Sequence, residues 1–119
     1  MAAPRRGEVW FVDPNPTRGH EQAGRRPALI VSVDAFNRGK AGLVFIVPLT
    51  TRFRGLPTHV EVHPPAGGVR EESWARCEDL RSISVERLVG APLGVVPVEV
   101  LGAVGERLRL LLQLKRYPS

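Results

Sequence analysis

Two stretches of the chain gather side chains able to do chemistry. The first, Gly19-His20-Glu21-Gln22-Ala23-Gly24-Arg25-Arg26-Pro27, is punctuated by glycine and carries a carboxylate, an amide and two guanidiniums. It runs directly into an apolar segment. The second, Pro48-Leu49-Thr50-Thr51-Arg52, leaves an apolar segment through two hydroxyls into a basic stretch that also holds Arg54. Hydroxyls and guanidiniums where loops meet strands suit phosphate, because a guanidinium offers several donors in a fixed fork. Pro27 biases Arg26 toward extended backbone, and a side chain at a strand's entrance is held more rigidly than one at a loop tip. On pattern alone, both stretches also read as ordinary solvated loops.

Other chemistry is sparse. His20, His59 and His63 show no metal-ligand spacing, and each is expected at a solvated surface. The single cysteine, Cys77, excludes an intramolecular disulfide and a cysteine zinc cluster, and it reads as a plain core or strand thiol. Glu71-Glu72 reads as a solvated acidic pair. The chain holds no GxGxxG, P-loop, HExxH or nucleophile elbow, so no metal and no cofactor is expected.

The elements that must position these groups are short. Residues 1–6 read as a loose basic arm. Residues 8–13 form a β-rich run stopped by Pro14 and Pro16, and residues 17–26 a loop. Residues 28–33 and 43–49 are continuous apolar runs of strand length, the second ended at Pro48, with a turn over 37–42 between them. Thr58-His59-Val60-Glu61-Val62 alternates as a half-exposed strand. Residues 73–80 predict another strand, and Ser84 a cap for a short helical turn through Arg87. One long helix is expected over about 97–114. Pro97 would open it, Leu101, Val104, Leu108 and Leu111 would form its stripe, and Leu110, Leu112 and Leu114 would widen the apolar face. Gly102 and Gly105 each cost such a helix about 1 kcal/mol against alanine. Short strands followed by one helix suit an α+β class, a strongly bent small sheet or barrel closed by that helix.

With 119 residues the chain is sized for one domain. Its 43% hydrophobic and 24% charged content are those of an ordinary globule. No apolar run approaches membrane-helix length and no secretion signal opens the chain, so cytoplasmic residence is the expectation. The net charge is +5, and fifteen of the seventeen basic residues are arginine. Arginine matches phosphate and stacks on bases, which favours a nucleic-acid partner. A GC-rich coding bias would produce the same arginine with the same alanine, glycine and proline, so charge alone leaves both readings open.

Order and spacing add more. Gly7-Glu8-Val9-Trp10, Val12-Asp13, Pro16 and the 19–27 loop followed by Ala28-Leu29-Ile30-Val31-Ser32 resemble the opening of the MazF/PemK family of toxin endoribonucleases. Val47-Pro48-Leu49-Thr50-Thr51 is similar to that family's second motif. Pro57-Thr58-His59-Val60-Glu61 and Cys77-Glu78-Asp79-Leu80-Arg81-Ser82-Ile83 are similar to its third and fourth. The resemblance runs over about residues 7–114. It implies a small SH3-like barrel of the CcdB/PemK type with a C-terminal helix, acting as a homodimer that cuts single-stranded RNA at a short sequence without metal and is neutralised by a cognate antitoxin, which the +5 charge of this chain predicts to be acidic. It places the catalytic roles on Arg26 and Thr50, with Glu21 in the same loop. Gln22, Arg25, Thr51, Arg52, Arg54 and Arg81 are the candidate RNA contacts. Where relatives often carry glutamine, this chain has Asp79, so that RNA contact is not carried over. Two other classes compete: a toxin of the same fold that poisons DNA gyrase without catalysis, and a plain arginine-rich nucleic-acid-binding module. A gyrase poison does not need the Arg26 loop together with Thr50, and the binding module predicts binding without strand scission.

Overall fold

The computed structural model describes residues 2–13 and 24–115. Along the chain come β1 (Glu8–Val12), β2 (Arg26–Ile30), a one-turn helix α1 (Asp34–Asn37), β3 (Leu43–Thr50), β4 (His59–Val62), β5 (Ser73–Arg76), β6 (Arg81–Ser84), β7 (Leu88–Val95) and α2 (Val98–Leu111). The strands pair antiparallel in the order β4-β5-β3-β2-β1-β7, and β6 lies along β3 as well.

The apolar runs do not alternate because both faces of this sheet are covered. Val9, Leu29, Val47 and Leu49 point to one face, where they join Val60, Val62, Ala75, Cys77, Val96 and Val104 of α2. Trp10, Val12, Ala28, Ile30, Val44, Ile46 and Ile83 fill a second core on the opposite face. Successive strand side chains point to opposite faces, so a run such as Ala28-Leu29-Ile30 serves both cores.

β3 is where the sheet bends. One of its edges pairs with β2 through Ile46, Val47 and Pro48. Its other edge pairs first with β6, over Leu43 to Ile46, and then with β5 at Leu49 and Thr50. Pro48 lies where this second ladder is interrupted, with no registered partner on that side, so a residue lacking an N–H is tolerated inside the strand. The expected end of the strand at Pro48 is therefore overtaken, and β3 runs on to Thr50. The result is the anticipated α+β class, a bent antiparallel sheet with a C-terminal helix. The sheet is open, with β4 and β7 at its two ends.

A close backbone approach locks one end. A Cβ on Gly94 of β7 would stand 2.7 Å from both the Gly67 carbonyl carbon and the Gly68 nitrogen. Only a bare backbone at position 94 lets the turn at residues 66–68 sit against β7.

Local structure departs from the sequence expectation at several points. Residues 34–37 form α1, and the helix takes in Asn37, where the sequence suggests the start of a turn. The 73–80 strand stops at Arg76, and Cys77–Asp79 is a single 3-10 turn. β6 and β7 were not anticipated. The helical turn capped by Ser84 is present over Val85–Arg87, with Ser84 Oγ accepting from the Glu86 N–H at 3.2 Å. Pro97 is the residue before α2 rather than its first, and the helix ends at Leu111. Val104 is fully buried and Leu101 and Leu108 pack on the first core, but Leu110, Leu111, Leu112 and Leu114 are exposed. In the segment expected as a loose arm, the Arg6 backbone donates to Asp34 Oδ1 at 2.8 Å, and Asn37 Nδ2 donates to the Pro4 carbonyl at 3.1 Å. Among the described residues no helix is long and apolar enough to cross a membrane.

Candidate active site: an arginine-lined cleft at the open end of the second core

Arg26 opens β2 and Thr50 closes β3. The register between these strands sets Ala28 opposite Pro48. Two residues further along, the same antiparallel pairing brings Arg26 to the level of Thr50. The β3–β5 register then sets Thr50 opposite Trp74. Arg26, Thr50 and Trp74 thus form one row across three strands. The row lies on the face of the second core, since Arg26 is two residues from buried Ala28 and Thr50 four from buried Ile46.

Beyond that core, the row opens into a cleft of about 560 Å³, lined by Arg25, Arg26, Thr50, Thr51, Arg52 and Arg54, and also by Pro27, Pro48, Leu49, Ser73 and Arg76. Five guanidiniums face this space, and no carboxylate lines it among the described residues. The field inside is therefore positive and suited to a polyanion. Thr50 Oγ1 accepts from the Arg52 backbone N–H at 3.1 Å, which turns the chain away from the strand and leaves the hydroxyl hydrogen for a second partner. Among the described residues nothing engages the Arg26 guanidinium. It stands exposed on a rigid strand start, open to a ligand.

Arg76 was missed by sequence reasoning. It occupies a strand with no motif of its own, and only the pairing of β5 with β3 carries it to the cleft. An acidic pair holds it from behind: Nε lies 3.8 Å from Glu78 Oε2, and a terminal nitrogen lies 3.6 Å from Asp79 Oδ2. Both carboxylate oxygens of Asp79 in turn accept from Arg81 Nη2, each at 2.7 Å. Arg81 accordingly lines a neighbouring hollow of about 240 Å³ with Arg26, Arg76 and Asp79, not the main cleft. Glu21, Gln22 and His20 lie outside the described residues.

The histidine expectations divide. His59 is 8% exposed, not solvated. β4 lays it against the 3-10 turn, where its Nε2 lies 3.0 Å from Glu78 Oε2, and Glu78 Oε1 accepts from Thr58 Oγ1 at 2.7 Å. Burial works to raise the Glu78 pKa, but the bonds from Thr58, its own backbone and His59, with the charge of His59, outweigh it and hold the carboxyl below 4.5. His63 is exposed as expected and is paired with Glu72. The pairing of β4 with β5 draws Glu61, His63 and Glu72 together, with ligand atoms within 4.8 Å of one another, although the sequence shows no metal spacing. This exposed cluster lies outside the cleft. Glu72 is less solvated than its sequence suggested, with Oε2 shielded from solvent and without a hydrogen bond. Cys77 is buried as expected. Burial first, then the Glu78 charge, pushes its thiol up to about 11.

Comparison with known proteins identifies the family. The model of a family described as a PemK-like, MazF-like toxin of type II toxin–antitoxin systems matches residues 5–112. Endoribonuclease MazF9 of Mycobacterium tuberculosis is 37% identical over 115 residues, covering 92% of this chain and 97% of that protein. Endoribonuclease PemK of Escherichia coli is 37% identical over 112 residues, covering 90% and 80%. Among solved structures, MazF of Deinococcus radiodurans superposes with a TM-score of 0.79 at 32% identity, covering 96% of this chain and all 100% of that one. The MazE–MazF complex from the same organism gives a TM-score of 0.80 at 28% identity, covering 97% and 100%. Fold, cleft and relatives together define a toxin endoribonuclease. The chain belongs to the PemK/MazF toxin family.

Proposed function

We propose that the cleft cuts single-stranded RNA by using the RNA's own 2′-hydroxyl as nucleophile. The observation that carries this reading is the row of Arg26 and Thr50 at the mouth of a cleft lined by five guanidiniums. The 2′-oxygen attacks the adjacent phosphorus and loses its proton, the bond to the 5′-oxygen breaks, and that oxygen takes up a proton. The products are a 2′,3′-cyclic phosphate and a 5′-hydroxyl. Arg26 donates to the phosphorane oxygens as their negative charge grows. A guanidinium is a fixed positive charge with several donors, so charge stabilisation is its first role. Thr50, held by the Arg52 backbone, donates its free hydroxyl hydrogen to a phosphate oxygen or orients the 2′-hydroxyl. Glu21 contributes the loop's carboxylate. Arg25, Thr51, Arg52 and Arg54 hold flanking phosphates, Gln22 contacts the RNA from the loop, and Arg76 joins them through its seat on Glu78 and Asp79. Arg81, committed to Asp79, acts beside the cleft.

The partners follow from the same surface. The complexes of D. radiodurans MazF with MazE support a cognate antitoxin here. With a net charge of +5 on the toxin, an acidic segment is the complementary ligand for the cleft. Exposed Val95, Val98, Leu110, Leu111 and Leu112 are the apolar surface that a second copy would cover in a homodimer. The chemistry asks for no metal, because the nucleophile comes with the substrate and guanidiniums meet the developing charge.

The test is a substrate with one 2′-deoxy sugar at the cut position, compared with its ribose counterpart in excess chelator. Cleavage of the ribose substrate alone, leaving 5′-hydroxyl ends, supports the mechanism. Cleavage of the 2′-deoxy substrate, or products with 5′-phosphate ends, would mean that water is the nucleophile, and activity abolished by chelator would overturn the metal-free mechanism.

A further inference from the structure

One exposed feature beside the cleft is unexplained by phosphate binding. Phe53 lies between Arg52 and Arg54 in the loop after β3, and 68% of it is exposed. An aromatic ring in an exposed loop is ordinarily free to turn, yet this one is seated on two sides. Its ring meets Trp74 with centroids 5.4 Å apart at an interplanar angle of 58°. Gly55, at φ +65°, turns the loop back toward the edge of the ring, where a Cβ would stand 3.4 Å from Phe53 Cζ and 3.6 Å from Cε2. That φ is the left-handed region that glycine adopts without strain, so the loop conformation and the seat of the ring share one cause. Trp74 is the residue opposite Thr50 in the β3–β5 register. The supported ring therefore stands next to the strand level at which Thr50 meets the cleft, and the two arginines that bracket it line the cleft.

We infer that Phe53, braced by Trp74 and Gly55, is a stacking site for one unpaired base of the RNA next to the bond that is cut. The inference rests on the proposed ribonuclease reading and adds to it a base-binding position. Cations flanking an aromatic ring match the repeat of a single strand, in which each phosphate is followed by a base able to turn outward. The braced ring keeps most of its surface open and loses little freedom when a base stacks on it. Stacking engages the face of a base and not its hydrogen-bonding edge, so the site accepts every base. Purines, with the larger face, bind it more tightly than pyrimidines.

The experiment uses the full chain. The cut site is first mapped on a long RNA. A short oligonucleotide of that sequence, blocked by a 2′-deoxy sugar at the cut, then receives an abasic residue at each position in turn. Dissociation constants are measured for the unaltered protein, Phe53→Leu and Phe53→Tyr. At one position adjacent to the cut, base removal should weaken binding to the unaltered protein and to Phe53→Tyr about tenfold. The same removal should change binding to Phe53→Leu little, because the ring that the base met is already gone. Phe53 is exposed, so all three proteins should share one circular dichroism spectrum and nearly one Tm. RNA cleaved normally, with abasic penalties identical in Phe53→Leu at every position, overturns the stacking site and leaves the ribonuclease reading standing. An unaltered protein that neither binds nor cuts RNA overturns both.

Discussion

Arg26 and Thr50, separated by twenty-three residues of chain, stand at the same level of two adjacent strands and line the same cleft. Among the described residues neither side chain is committed to a structural ion pair. Strand pairing sets their spacing, and the core beneath them at Ala28, Ile30 and Ile46 keeps it fixed. A phosphate that reached one would be within the compass of the other.

Replacing either residue should therefore remove transition-state stabilisation without unfolding the protein. Arg26→Ala and Thr50→Ala should each slow RNA cleavage about a hundredfold or more at saturating substrate. Both sit at exposed or half-exposed strand ends, so circular dichroism and Tm should stay close to those of the unaltered protein. A folded Arg26→Ala protein cutting at the original rate would remove the assignment.

Glu78 makes stability depend on acid. Burial alone would raise its pKa, but Thr58, its own backbone and His59 together hold the carboxyl below 4.5, so the folded state favours the ionised form. That contribution is complete above the unfolded value and is lost as pH falls through the folded one. Glu78→Gln should lower Tm by a few degrees at pH 7, and the deficit should shrink as the pH is taken from about 5 toward about 3. A deficit equally large in acid and at neutrality would show that ionisation of Glu78 contributes nothing.

Cys77 should be chemically silent in the native protein. It is 1% exposed, and its thiol is pushed up to about 11 by burial and by Glu78. About one molecule in a thousand then carries a thiolate at pH 8. A thiol-specific reagent should label the denatured chain at once and the folded chain about a hundredfold more slowly or less still. Rapid stoichiometric labelling of the folded protein would contradict this.

Two glycines should respond to alanine with opposite signs. Gly94→Ala drives a methyl into the backbone of Gly67 and Gly68 and should destabilise by about 1–3 kcal/mol. Gly102 lies inside α2, and a Cβ there would meet nothing within 4 Å, so Gly102→Ala should stabilise by about 1 kcal/mol through helix propensity. Denaturant unfolding of the two variants checks both. Equal effects would mean that the approach of the 66–68 turn to β7 is not tight.

The elements legible in the sequence were those whose signal is local. β1, β2 and β3 announce themselves as apolar runs, α2 by the 3.6-residue spacing of Leu101, Val104 and Leu108, and the Ser84 cap by a single hydroxyl. Arg26 and Thr50 were legible because each abuts one of those runs. β7 was not, because Gly90, Pro92 and Gly94 are strand breakers in isolation and are tolerated only at the end of a sheet, where one side needs no partner. β6 was hidden for a related reason: Arg-Ser-Ile-Ser has one buried residue, Ile83, and becomes a strand by pairing along β3.

What tertiary structure alone decided was which side chains share a space. Sequence neighbours fix whether a segment is extended, but the partner along each edge of β3 depends on contacts between segments far apart in the chain. Those contacts brought Arg76 into the cleft, set Trp74 opposite Thr50 and stood Phe53 on its ring. They also turned His59 inward onto Glu78, although its alternating segment reads as half solvated. The same cause left Leu110, Leu111 and Leu112 outside, where helical spacing expected a buried face: α2 outruns the core beneath it after Leu108, and a side chain is buried only where another element lies opposite it.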